Sequence, residues 1–288
     1  MRGMARFPLT SASRPRAARA ACCLALALLM ALPARGDTLL GLCGDRVAGG
    51  GHLMAQIFDT DQLGAPRFVR RRAPREGGLG YVGLTPVKGD GLAAGVNERG
   101  LVVLTTYTPV FPLANAGPGL DASDFLDRFT NVDEIVAAFR RRELRGPRHV
   151  LAGDRDGRLL LLELLPDGTG GFQELRDGVL AHTDHYLLPG MERRNYLVPP
   201  ASAPRCALAL ALLALPPRFT REQLVAVTAN HTADATWAPL CRHREDPASA
   251  GADSVAALVV VGTPGQPPRL YVGLGHPCQF TLRELHTF

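Results

Sequence analysis

The first apolar block of the chain is continuous. Ala20 to Leu32 carries no charge and follows five arginines, Arg2, Arg6, Arg14, Arg16 and Arg19. A run of this length is short for a bilayer span and sits where the core of an export signal does. Ala34 and Gly36 set small residues at the spacing of a cleavage site, so residues 1–36 read as a signal peptide with a mature start near Asp37. Beyond it the apolar positions break into short blocks. His52 to Asp59, Tyr81 to Pro86, Gly91 to Val96 and Leu101 to Tyr107 read as strands, the last by its alternation. Gly49-Gly50-Gly51 turns the segment at Cys43 into the first of these as a hairpin. Gly64 to Gly80, rich in Pro, Arg and Gly, reads as a long surface loop.

Helical spacing follows over Asp121–Phe129 and from Val132 to about Arg142. Thr130 or Asn131 can cap the second helix, with Asp133 and Glu134 in its first turn and Arg140-Arg141-Arg142 in its last. His149–Gly153 and Leu159–Glu163 flank the turn sequence Asp154-Arg155-Asp156-Gly157, and Val179–His182 is another strand. Ala203–Leu215 reads as a helix apolar nearly all round and therefore buried, and Thr220–Thr228 as a second helix. Val255–Gly262 and Arg269–Gly273 close the chain as a strand pair. Blocks of strands alternating with blocks of helices predict an α+β fold with a largely antiparallel sheet. The roughly 250 residues after the signal suffice for one large domain.

Charge changes the picture once the signal is set aside. The whole chain is +5, but residues 1–36 hold six arginines and no acid, which leaves the remainder at −1. The basic balance therefore belongs to the signal, and no nucleic-acid partner is expected. Arg70-Arg71-Arg72 and Arg140-Arg141-Arg142 read as a solvated loop and a solvated helix end. Gly49-Gly50-Gly51 lacks the Lys and Ser/Thr of a phosphate loop. The apolar run Cys206–Leu215 is too short to span a membrane and ends at Pro216-Pro217.

Cysteines supply the candidate chemistry. Cys22 and Cys23 leave with the signal; Cys43, Cys206, Cys241 and Cys278 remain, and spacing leaves their pairing open. A short trim would make Cys43 an N-terminal residue with a thiol and an α-amine together, a self-contained nucleophile and base. The plainer alternative is a small buried residue near the start of a strand. His182 and His185, three apart in a strand and turn, fall on opposite faces. His231 and His243 have no Cys-x-x-Cys pair or His-Glu-x-x-His helix behind them. No metal and no cofactor are expected.

Several segments in order carry a resemblance. They are Cys43 with Phe58-Asp59; Gly95-Val96-Asn97-Glu98-Arg99-Gly100-Leu101; Ala181-His182-Thr183-Asp184-His185-Tyr186; Asn230-His231; Leu240-Cys241-Arg242-His243; and Tyr271 through Cys278. Together they resemble the isopenicillin N acyltransferase-like branch of the N-terminal nucleophile hydrolases. The set is more distantly similar to choloylglycine hydrolases and penicillin V acylases. The resemblance implies a four-layer αββα fold with two stacked, mostly antiparallel sheets. It also implies maturation at the Leu42–Cys43 bond, so that 37–42 is a short propeptide and 43–288 the domain.

Further roles follow from the resemblance position by position. Asp59 matches the acid that holds the α-amine beside the thiol. Tyr107 matches a residue beside the developing oxyanion, and Asp184 stands where the family places an Asn that donates to it. Arg205 matches an arginine that supports the site from a helix start. Gln56 and Ile57 stand where the family commonly has Arg and Asn, and Leu42 and Gly44-Asp45 also depart from its pattern. An ionised Asp184 cannot donate to an oxyanion, and losing one such donor costs about 3 kcal/mol. The implied activity is an exported, periplasmic or secreted, N-terminal-cysteine amidohydrolase or acyltransferase working through a thioester. Its partner is a small amide or peptide substrate, with no stable membrane contact after signal cleavage. The alternative is a catalytically impaired homologue that serves as an exported binding or scaffold protein.

Overall fold

The computed structural model describes residues 36–60, 67–72, 77–85, 91–106, 119–196, 198–234, 237–249 and 251–288. The apolar run of the expected signal, and Tyr107, lie outside them. In chain order the strands are β1 (Thr38–Cys43), β2 (His52–Thr60), β3 (Arg67–Arg72), β4 (Tyr81–Thr85), β5 (Ala94–Asn97), β6 (Val102–Thr106), β7 (Arg148–Gly153), β8 (Leu159–Leu164), β9 (Gly170–Leu175), β10 (Gly178–His182), β11 (Asp253–Gly262), β12 (Arg269–Leu274) and β13 (Arg283–Leu285). They form a six-stranded sheet, β10-β1-β2-β11-β12-β13, and a seven-stranded sheet, β3-β4-β5-β6-β7-β8-β9. Each neighbouring pair within these sheets is antiparallel.

Side-chain parity on β1 shows how the layers stack. Leu39 and Cys43 point into the core between the two sheets, with Met54, Phe58, Leu104, Leu151, Leu161 and Leu258. Leu40 and Leu42 point the other way, onto α3 (Ser202–Ala214) and α4 (Arg221–Thr228), where they meet Leu208, Leu213 and Leu224. Both faces are covered, so the strand reads as a near-continuous apolar run. On the far side, α1 (Ala122–Leu126) and α2 (Val132–Arg140) cover Leu101, Val103, Leu160 and Leu162 of the seven-stranded sheet. The result is the αββα order expected from the resemblance.

Local signals hold where the chemistry is local. Asn131 caps α2 by accepting from the Glu134 amide at 3.0 Å, and Thr220 and Gln223 form a reciprocal capping box at α4. Gly51 has φ +78°, and a Cβ there would fall 2.0 Å from the Gly262 carbonyl oxygen, so the β1–β2 turn requires glycine at this point. The expected loop Gly64–Gly80 instead contains β3, an edge strand of the seven-stranded sheet. Helix α3 is apolar on more than its core face: Leu210 is 39 % exposed and Leu215, just past its end, 76 %. Among the described residues no helix is long and apolar enough to cross a membrane.

The segment expected to leave as a propeptide includes Thr38–Leu42. These residues are fully buried and form five of the six residues of β1, paired on one side to β2 and on the other to β10.

Candidate functional site

Antiparallel winding brings four strand ends to one edge of the six-stranded sheet: the start of β1, the end of β2, the end of β10 and the start of β11. Polar residues gather there. Gly36 and Asp37 precede β1, Asp59 ends the buried part of β2, Asp184 follows β10, and Ser254 is the second residue of β11. Arg205 reaches in from the first turns of α3, and Arg242 from the segment after α4.

Arg205 is the hub. Its Nη2 donates to the Gly36 carbonyl and to Asp184 Oδ2, both at 2.8 Å, and its Nη1 lies 3.7 Å from Asp59 Oδ2. Arg242 Nη1 approaches the same Asp59 oxygen at 3.4 Å, while Ser254 Oγ donates to Asp59 Oδ1 at 2.7 Å. Arg242 Nη2 also donates to the Ser249 carbonyl. Asp184 accepts from Thr106 Oγ1 at 3.4 Å, and its backbone N–H donates to Ser202 Oγ at 3.1 Å. Asp37 Oδ2 accepts from Gln56 Nε2 at 2.6 Å, and Asp37 Oδ1 from the Asp59 amide at 3.0 Å. Gln56 Nε2 also donates to the Thr105 carbonyl on the other sheet.

The cluster holds three carboxyls and two guanidiniums. Burial raises Asp184 to about 6, although Arg205 opposes the shift. Asp37, half-buried and with no guanidinium among its donors in the described residues, is raised by burial and by the nearby Asp59 to about 7. Burial pushes the Arg242 guanidinium down. Gly36 completes the geometry: a Cβ there would fall 1.8 Å from Asp184 Oδ2, so that carboxyl occupies the space a side chain at position 36 would need.

The raised carboxyls predict a pH dependence. Between the ordinary Asp value near 4 and these raised values, the fold keeps protons that the unfolded chain has released. Stability therefore falls as pH rises through that window. Asp37→Asn removes one of the two groups and keeps an acceptor for the Asp59 amide. Urea melts are expected to show the variant equal to its parent near pH 4. At pH 8 it is expected to be more stable by on the order of 1 kcal/mol, after discounting for the partial exposure of Asp37.

The structure brings together three of the five assigned residues, Asp59, Asp184 and Arg205, and it does not bring Cys43 to them. Cys43 ends β1, six residues beyond Asp37 along an extended strand, which is about 20 Å. Its register partners are His52 and Gly178, at the opposite end of β2 and β10 from the cluster. The thiol is fully buried, and burial pushes it up to about 11, so it is held in its unreactive form. Strand register, and not distance from the cleavage site, decides which residue meets Asp59. Asp37, Gly36, Arg242 and Ser254 were missed as site residues. The signal for the first two was already present, since the expected mature start falls at Asp37. Of the buried histidines, His182 bonds Glu163 at 2.8 Å and His185 bonds Ser202 Oγ at 2.8 Å.

No family model and no curated protein matches the chain. Solved structures do. A variant of conjugated bile acid hydrolase from Clostridium perfringens is similar over 86 % of this chain and 92 % of its own, at 13 % identity and TM-score 0.50. Penicillin V acylase from Agrobacterium tumefaciens is similar over 86 % of this chain and 84 % of its own, at 14 % identity and TM-score 0.49. The Caenorhabditis elegans orthologue of N-acylethanolamine-hydrolyzing acid amidase is similar over 80 % and 94 %, at 14 % identity and TM-score 0.48. The first likeness, together with the αββα layers, gives the class: the fold is that of the N-terminal nucleophile hydrolases.

Proposed function

We propose that this chain is an exported binding protein built on the N-terminal nucleophile hydrolase fold, in which the thiol mechanism of that fold has been lost. One observation carries the reading. Asp59, Asp184 and Arg205 close on Gly36 and Asp37, which offer no thiol or hydroxyl, while the Cys43 sulfur is buried about 20 Å away. Asp184 strengthens it, because an ionised carboxylate repels the charge that an oxyanion site must stabilise. The sequence resemblance supplies the ligand class, an N-acyl amino acid, a small peptide or a β-lactam-type amide.

A second reading rests on Asp37. A half-buried carboxyl raised to about 7 is matched to general-base work near neutral pH. In that case amide hydrolysis proceeds without a covalent intermediate: Asp37 takes a proton from a water that attacks the carbonyl. A panel of N-acyl amino acids and small peptides separates the readings, with calorimetry for binding and amine release for turnover. The binding protein is expected to give saturable binding and no turnover. Turnover that survives Cys43→Ala but is lost in Asp37→Asn selects the second reading. Turnover abolished by Cys43→Ala overturns both.

A further inference from the structure

A second group of reactive side chains lies beside this cluster and has no part in it. His231 follows α4, Cys241 and His243 flank Arg242, and Cys278 follows β12. Their donor atoms all lie within 4.8 Å of one another. His243 Nε2 is 3.2 Å from His231 Nε2, 3.4 Å from Cys278 Sγ and 3.8 Å from Cys241 Sγ. One ring nitrogen has either one hydrogen or one lone pair, so it can satisfy one of these three neighbours by a hydrogen bond. A cation among the four satisfies them all.

The spacing fits a particular ion. Zinc binds sulfur at about 2.3 Å and imidazole nitrogen at about 2.0–2.1 Å in a tetrahedron. The edges of such a tetrahedron are roughly 3.3 Å between nitrogens, 3.5 Å between nitrogen and sulfur and 3.8 Å between sulfurs. The contacts at His243 fall close to these values. Two thiolates and two imidazoles are also the donor set that favours zinc over magnesium or calcium.

We propose that His231, Cys241, His243 and Cys278 form a structural zinc site that ties three separate segments of the chain together. The surroundings are built to hold the ligands. The Cys241 amide donates to the Asn230 carbonyl at 2.9 Å, fixing the Cys241 backbone next to His231. The His243 amide donates to Ser249 Oγ at 3.1 Å. The His276 ring packs 3.9 Å from that of His243 and is itself held by Asp253 Oδ1 at 2.8 Å.

The site has a consequence for its neighbour. Arg242 stands between two ligands and points to Asp59. A metal that fixes Cys241 and His243 therefore fixes the guanidinium that shares Asp59 with Arg205. The inference does not depend on the function proposed above. Cys-x-His here meets a histidine ten positions before it and a cysteine thirty-five positions after His243; only the fold makes them neighbours, so spacing along the sequence carries no sign of the site.

The test uses the full chain, purified without chelator. Elemental analysis is expected to find about one zinc per chain, with Cys241 and Cys278 reduced by intact mass and thiol titration. Cobalt added to the chelated protein is expected to give the intense visible bands and sulfur charge-transfer absorption of a tetrahedral site. His231 and Cys278 are exposed, so His231→Ala and Cys278→Ser are expected to fold while losing ~100-fold or more in zinc affinity. Cys206→Ala, outside the group, is expected to keep it. A metal-free protein with reduced thiols that takes up no cobalt, an octahedral cobalt spectrum, or a Cys241–Cys278 disulfide overturns the proposal.

Discussion

A chain that begins at Cys43 is expected not to fold. Cleavage there removes Thr38, Leu39, Leu40, Gly41 and Leu42, all fully buried in β1. Leu39 is lost from the core between the sheets, and Leu40 and Leu42 from the core under α3 and α4. Losing a buried leucine side chain costs about 2–5 kcal/mol, so the three together cost on the order of 6–15 kcal/mol. That matches the whole stability of an ordinary domain, about 5–15 kcal/mol. The edges of β2 and β10 that face β1 also lose their hydrogen-bond partners in the middle of the sheet. Circular dichroism with urea on chains spanning 36–288 and 43–288 checks this. The longer chain is expected to unfold cooperatively, the shorter to show no cooperative transition. A cooperative transition for 43–288 would restore 37–42 as a removable segment.

Arg205→Met is expected to be the most damaging single substitution in the cluster. The side chain is 1 % exposed and is among the largest that are fully buried. Methionine fills much of its volume and supplies none of its donors. The Asp184 carboxylate then keeps the Thr106 hydroxyl, the Gly36 carbonyl loses the Arg205 donor, and Asp59 keeps Ser254 and the single guanidinium of Arg242. Removing one partner of a buried ion pair costs about 3–5 kcal/mol, because the other charge stays buried without compensation. Denaturant melts at pH 7 are expected to show a loss of that size. Adding Asp184→Asn is expected to recover part of it, since the stranded carboxylate is then gone. A loss under about 1 kcal/mol, the range of exposed pairs, would mean that the cluster is not held by charge.

The fold was legible in the sequence wherever apolar period and capping chemistry agreed. Asn131 and Thr220 marked helix starts that the structure keeps, and the strands over residues 159–164 and 253–262 follow leucine-rich or β-branched runs. The weak elements were invisible for physical reasons. β9 is Gly-Gly-Phe-Gln-Glu-Leu at the edge of its sheet, so little apolar surface is needed to hold it. β13 is three residues long, also at an edge. The site was half legible. Asp59, Asp184 and Arg205 converge, yet the residue they surround depends on the β1–β2 register. That register is set by where the turn falls, and the chain spends Gly44 to Gly51 on it. Counting from the nearest cysteine could not supply it. The zinc ligands were out of reach for a related reason, because they meet only after α4, β11 and β12 are in place.

The central claim is that the cluster of Asp59, Asp184 and Arg205 faces residues 36 and 37, with Thr38–Leu42 retained as strand. Mass analysis of the N-terminal peptide of the protein recovered from its own cells tests it. A mature chain that starts at or before Asp37 and carries Thr38–Leu42 ahead of an unmodified Cys43 is the expected result. A folded chain whose first residue is Cys43 contradicts it.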